Sequence, residues 1–213
     1  MIISKKHAVK SLFIRLMLTL LFTNVHAQNP IKIMLYGDSL MAGYGLSQNE
    51  NLISTLSKKY KDSESSFSFI NASISGNTSK NGLSRVDWSI GDNPNIVILC
   101  LGANDMLRGL DPALTKNNLD LIISKFVSNN SIVILAGMQS PESMGPEYQL
   151  EFDGIYPELS NKYSLIFMPF LLEGVALEKE MLQADFKHPN AQGIKVIAKN
   201  LEPYIVQAIE RLK

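Results

Sequence analysis

Six consecutive apolar residues, Ile96-Val97-Ile98-Leu99-Cys100-Leu101, sit mid-chain with no polar residue among them. A strand with one wet face alternates apolar and polar residues. A strand that is apolar throughout needs cover on both faces, which a parallel sheet between two helical layers provides. Four other brief runs rich in Ile, Val or Phe read as strands: Ile31–Tyr36, Phe67–Ala72, Ser131–Ala136 and Ser164–Phe167. Helical patterns fill the gaps over Leu52–Tyr60, Thr78–Asp87, Pro112–Asn129, Pro146–Asn161 and Ala191–Lys213. Asp111 and Asn190 are placed to cap two of these helices, with Pro112 at a first helical position. Pro157 and Pro203 are positions where a helix can kink or end. Alternation of this kind predicts an α/β fold with helices on both faces of a mostly parallel five-stranded sheet. Such sheets carry their sites at the carboxyl ends of the strands.

The first 27 residues read as an address rather than as fold. Lys5, Lys6, Lys10 and Arg15 precede the short apolar run Leu16–Phe22, and Val25-His26-Ala27 ends it with small residues at the cleavage positions. That is the layout of a secretory signal peptide, and the run is shorter than the ~20 residues of a spanning helix. Cleavage leaves residues 28–213 as a single domain, exported to the periplasm or beyond, with no stable membrane anchor. It also removes four basic and no acidic residues from a balance of 20 against 20, leaving an excess of four acids. No basic stripe remains, so nucleic acid is not an expected partner. The one cysteine, Cys100, lies inside the apolar run and reads as a core residue. With one histidine after cleavage and no thiolate pair, a metal site is not expected.

That histidine, His188, stands in Asp185-Phe186-Lys187-His188-Pro189. Any chemistry that needs an imidazole passes through it. Gly37-Asp38-Ser39-Leu40 follows the first strand, Ser75-Gly76-Asn77 the second and Gly102-Ala103-Asn104-Asp105 the third. A serine hydroxyl becomes a nucleophile when a base takes its proton, and histidine suits that task near neutral pH. A carboxylate on the other ring nitrogen fixes the tautomer, and Asp185 lies three residues away. The backbone N–H groups of Ser39 and Gly76 and the amide of Asn104 are candidate donors to an oxyanion. Each piece has a plainer reading. Gly-Asp-Ser is ordinary turn chemistry, Asn104 and Asp105 can cap backbone, and Asp185 and His188 can face solvent. No Gly-x-Ser-x-Gly elbow and no phosphate-binding glycine fingerprint is present.

Taken in order, these blocks resemble the SGNH, or GDSL, hydrolase family. Its four letters fall on Ser39, Gly76, Asn104 and His188, with Asp185 in the Asp-x-x-His block. Tyr36–Tyr44, Asn71–Ser79, Leu101–Gly109 and His188–Asn190 are most similar to the periplasmic thioesterase I/lysophospholipase branch of Gram-negative bacteria. The resemblance implies a three-layer α/β/α sandwich and a cofactor-free serine hydrolase. Its expected substrates are fatty acyl thioesters, lysophospholipids and small aryl esters, small-molecule or lipid acyl esters met by a monomer. Ser39 would be the nucleophile, His188 the base and Asp185 its orienting acid. Ser39, Gly76 and Asn104 would form the oxyanion hole. Met106, Leu107 and Leu110 match a loop that covers acyl chains, or else simply pack the next helix. Two rivals stand beside this reading: an acetyl esterase acting on envelope or plant polysaccharide, and a catalytically silent binding protein. A long apolar groove beside Ser39 would favour acyl chains, and a short polar one acetyl sugars.

Overall fold

A computed structural model describes residues 29–63 and 65–213; the expected signal peptide lies outside the described residues. Five strands form one sheet in the order β2-β1-β3-β4-β5, every adjacent pair parallel. They are β1 (Ile31–Gly37), β2 (Phe67–Asn71), β3 (Ile96–Cys100), β4 (Ile132–Ala136) and β5 (Ile166–Met168). The sheet is thus wholly parallel rather than mostly so. Central β3 is buried at all five positions, as its unbroken apolar run requires, while edge strand β2 is only half-buried. Cys100 has no exposed surface, and burial holds its thiol well above the usual range.

Among the described residues seven α-helices accompany the sheet: α1 (Ser39–Ala42), α2 (Leu52–Lys59), α3 (Ser79–Ile90), α4 (Ala103–Leu107), α5 (Pro112–Ser128), α6 (Pro146–Tyr163) and α7 (Ala191–Arg211). Helices α3, α5 and α6 pack side by side on one face, and α2 pairs with α7 on the other. The result is a three-layer α/β/α sandwich. Asp111 caps α5 ahead of Pro112, and Asn190 caps α7 by accepting from the N–H groups of Gln192 and Gly193. Pro157 and Pro203 end nothing, since α6 and α7 run on past them. Helix α3 extends three residues beyond its expected end, held at its start by a reciprocal Thr78–Asn81 capping box. Between the layers, buried Tyr36 meets Phe126 edge-on at 5.1 Å and donates its hydroxyl to Gly82 O at 2.6 Å. No described helix is long and apolar enough to cross a membrane.

Two short helices went unforeseen, and both matter to the site. Helix α1 begins at Ser39, directly after β1, and α4 begins at Ala103, just after β3. Each turns the chain sharply at a strand's carboxyl end, so that its first residues face the rim. Gly37 has to be glycine for α1 to start there. A Cβ at that position would lie 2.6 Å from both Cys100 O and Met41 Cγ.

Candidate active site

The carboxyl ends of β1, β2 and β3 and the loop before α7 converge on Ser39. Asp38 caps α1 by accepting the Leu40 N–H at 3.0 Å, and its other oxygen accepts from Asn104 Nδ2 at 3.2 Å. This carboxyl has no exposed surface, and burial pushes its pKa up to about 6 against the two hydrogen bonds that favour the anion. Asn104 Nδ2 also donates to Asn77 O at 3.1 Å, so its amide ties the β1 and β3 ends to the loop after β2.

That loop is held from beneath. The Ala72 and Ile74 N–H groups donate to Leu35 O and Gly37 O, which pins it against β1. Arg85 of α3 lies over the Tyr36 ring and spreads its guanidinium across three acceptors. Its Nε donates to Asn77 Oδ1 at 2.8 Å, while its two terminal nitrogens donate to Ala72 O and Gly37 O. Gly76 turns the loop at φ +80° with open space around it, so backbone conformation rather than crowding calls for glycine there. Asp105 faces away from the site. Its carboxylate accepts from Ser79 N at 2.7 Å and Ser79 Oγ at 2.6 Å, anchoring α3 to α4.

From the other side comes the loop before α7. His188 Nε2 stands 2.8 Å from Ser39 Oγ, and Nδ1 stands 2.6 Å from Asp185 Oδ2. The second Asp185 oxygen accepts the backbone N–H groups of Lys187 and His188, both at 3.0 Å. The imidazole bond first, and these two N–H bonds next, hold the Asp185 carboxyl well below the usual carboxylate range. An ionised carboxylate only accepts, so Nδ1 carries the ring proton and Nε2 is left to accept from the serine hydroxyl. Phe186, between acid and base, adopts a left-handed conformation at φ +56° to make so tight a turn. The ring of Tyr44 lies 4.6 Å from that of His188, and Gln183 Nε2 donates to Tyr44 O at 2.7 Å and Pro189 O at 2.9 Å.

Five sequence-derived candidates, Ser39, Gly76, Asn104, Asp185 and His188, therefore meet at one rim. Beside Ser39 and His188 opens a groove of about 370 Å³. Met106 and Leu107 line it, and Leu110 does not. Gly109 turns the chain at φ +62°, and the Leu110 carbonyl is drawn aside to the Tyr148 hydroxyl at 3.0 Å. The sequence reading missed Leu40, Ala103, Met138, Leu172 and Lys187, all of which contribute to the lining. Leu40 and Lys187 adjoin predicted site residues and could have been found that way. Met138 and Leu172 follow β4 and β5, and only the converging strand ends bring them in. Among the described residues, no three His, Cys, Asp or Glu side chains gather as metal ligands would.

Residues 35–196 match the GDSL-like Lipase/Acylhydrolase family. The chain belongs to that family. It is 34% identical over 172 residues to "Esterase TesA" of Pseudomonas aeruginosa, covering 80% of this chain and 86% of that one. It is likewise 34% identical over 178 residues to "Thioesterase 1/protease 1/lysophospholipase L1" of Escherichia coli K12, covering 81% and 84%. Among solved structures, the psychrotrophic esterase EstA from Pseudoalteromonas sp., inhibited by monoethylphosphonate, superposes with a TM-score of 0.80. It is 31% identical, and the match covers 84% of this chain and 99% of EstA. As a member of this acylhydrolase family the protein is an ester-hydrolysing enzyme.

Proposed function

We propose that the protein hydrolyses carboxylic esters and acyl thioesters with medium or long acyl chains through an acyl-Ser39 intermediate. The unbroken run of hydrogen bonds from Asp185 through His188 to Ser39, at the mouth of a mainly apolar groove, carries this reading. Ser39 Oγ attacks the acyl carbon while its proton passes to His188 Nε2. Asp185 holds the ring in the accepting tautomer and stabilises the imidazolium that forms. The carbonyl oxygen becomes an anion received by the N–H groups of Ser39 and Gly76 and by the Asn104 amide, which turns one of its two N–H groups to the anion from its resting bond to Asp38 or Asn77 O. Collapse returns the proton from Nε2 to the leaving oxygen or sulfur and leaves the acyl group on Ser39. Water then attacks the acyl-serine, giving its proton to Nε2; the acyl–Oγ bond breaks as Nε2 returns that proton to Ser39 Oγ, and the free acid departs.

The apolar lining favours acyl chains over acetylated sugars. The basic and apolar character of residues 1–27 supports export, with residues 28–213 acting as one monomeric domain in the periplasm or outside the cell. The test is hydrolysis of p-nitrophenyl esters from acetate to palmitate, with Ser39→Ala alongside. Activity that rises with chain length and is lost in the variant is the expected outcome. Activity confined to acetate would instead favour a carbohydrate esterase.

A further inference from the structure

We propose that Gln183 is a positioning residue that sets the Ser39–His188 register, by tying the loop that carries the base to the turn that follows the nucleophile. This rests on the acyl-Ser39 reading above. Ser39 and His188 stand 149 residues apart, one at the start of α1 and the other on the loop before α7. That loop is a compact hairpin held by its own backbone. Gln183 N donates to His188 O at 2.8 Å, Asn190 N to Met181 O at 2.8 Å and Phe186 N to Gln183 O at 3.0 Å. Leu182 and Pro189 pair as an isolated antiparallel bridge, and both are buried. These contacts fix the shape of the hairpin and not its place. Apolar burial seats it, but apolar contact has no direction and lets a rigid unit slide.

One side chain supplies the missing direction. Gln183 Nε2 donates to Pro189 O inside the hairpin, at 2.9 Å, and to Tyr44 O outside it, at 2.7 Å. Tyr44 N in turn donates to Ser39 O at 3.3 Å, as does the Gly43 N–H that closes α1. Ser39, Tyr44, Gln183 and His188 thus form a closed circuit whose last side is the 2.8 Å approach of Oγ and Nε2. Among the described residues, Gln183 Nε2 makes the only hydrogen bond between residues 39–47 and 181–190 apart from that approach itself. Both of its partners are carbonyls, so the amide nitrogen and not the oxygen must face them. The backbone is shaped for this contact, since Gly45 adopts φ +72° and a Cβ there would collide with Gln183 Oε1. The same bond holds Tyr44 where its ring lies 4.6 Å from that of His188. A proton passes from Oγ to Nε2 only over hydrogen-bond distance, and a misplacement of about 1 Å can cost 10²-fold in rate. With Gln183 unable to donate, the hairpin keeps its shape while Nε2 drifts from Oγ.

The test is a double-mutant cycle read as kcat and KM for p-nitrophenyl butyrate at neutral pH, per folded molecule. Gln183→Met fills about the same space and cannot donate; it should lower kcat about 10- to 100-fold and leave KM within about twofold. Gln183→Glu keeps the shape and turns an acceptor on two carbonyls, so it should lose as much. A packing defect particular to one replacement therefore does not decide the result. In His188→Ala there is no register to hold, and the residual rate comes from binding and the oxyanion donors. There Gln183→Met should change kcat by less than about twofold. Undiminished kcat in both Gln183 variants, or a rise in KM alone, would overturn the proposal. So would an equal loss with and without His188, which would mark Gln183 as a general support of the fold. A Ser39→Ala protein that still hydrolyses the ester would instead overturn the acyl-Ser39 reading, which is a separate result.

Discussion

Replacing Asp38 by asparagine separates the electrostatic cost of this buried group from its service to the site. In the folded protein its pKa stands at about 6, against an ordinary value near 4. Between those values the native chain holds a proton that the unfolded chain has released. The group's contribution to stability is therefore complete below pH ~4 and declines through the window up to pH ~6. A shift of two units corresponds to about 3 kcal/mol, and full burial leaves no solvent screening to reduce it. Asp38→Asn cannot ionise, so it lacks this decline. Its side-chain oxygen can still accept from Leu40, but its amide then confronts the Asn104 amide, donor against donor, at about 1–3 kcal/mol. Near neutral pH the two effects roughly offset, and the variant should be about as stable as wild type. The assay is urea denaturation at half-unit steps from pH 4 to pH 8. The stability difference should move by about 3 kcal/mol in the variant's favour between pH 4 and pH 7. Parallel curves, or movement in the other direction, would refute the reasoning. Because the Asn104 amide loses its charged partner, kcat should also fall in the same variant.

Three further outcomes follow from the geometry. Asn104→Ala removes an oxyanion donor and should lower kcat about 10²- to 10³-fold with little change in KM, as read from steady-state rates on p-nitrophenyl butyrate. Arg85→Met leaves Asn77, Ala72 O and Gly37 O without their shared donor, and should reduce kcat more than it raises KM; a change in KM alone would show that the loop is held by other means. Phe126→Ala opens a cavity under Tyr36 and should cost about 3–5 kcal/mol in denaturant unfolding, while residual kcat/KM per folded molecule stays near wild type.

The strands were legible because burial on both faces leaves a direct mark, an apolar run with no alternation. Their ends were less so. The expected start of β5 at Ser164 fails because Ser164 closes α6 in a left-handed conformation, and the strand begins two residues later. Helices α1 and α4 are shorter than the period by which a helix is read, so Gly37–Leu40 and Gly102–Asp105 looked like loops. The catalytic candidates were nevertheless visible, because one histidine beyond residue 27, one Asp-x-x-His spacing and three polar turns left few ways to assemble an acid–base site. What stayed hidden depends on long-range closure: the Arg85 clamp beneath the loop after β2, the Tyr44 ring against His188, and the arrival of Met138 and Leu172 from separate strands. Leu110 shows the converse, an apolar residue at a plausible position that a single turn at Gly109 directs elsewhere.

The most direct test of the central claim is covalent labelling with an alkyl fluorophosphonate, read by intact mass and peptide mapping. The expected result is one adduct per chain on Ser39, formed in step with loss of esterase activity and absent from Ser39→Ala. Full inactivation with the label on another residue, or undiminished hydrolysis by Ser39→Ala, would contradict an acyl-Ser39 mechanism.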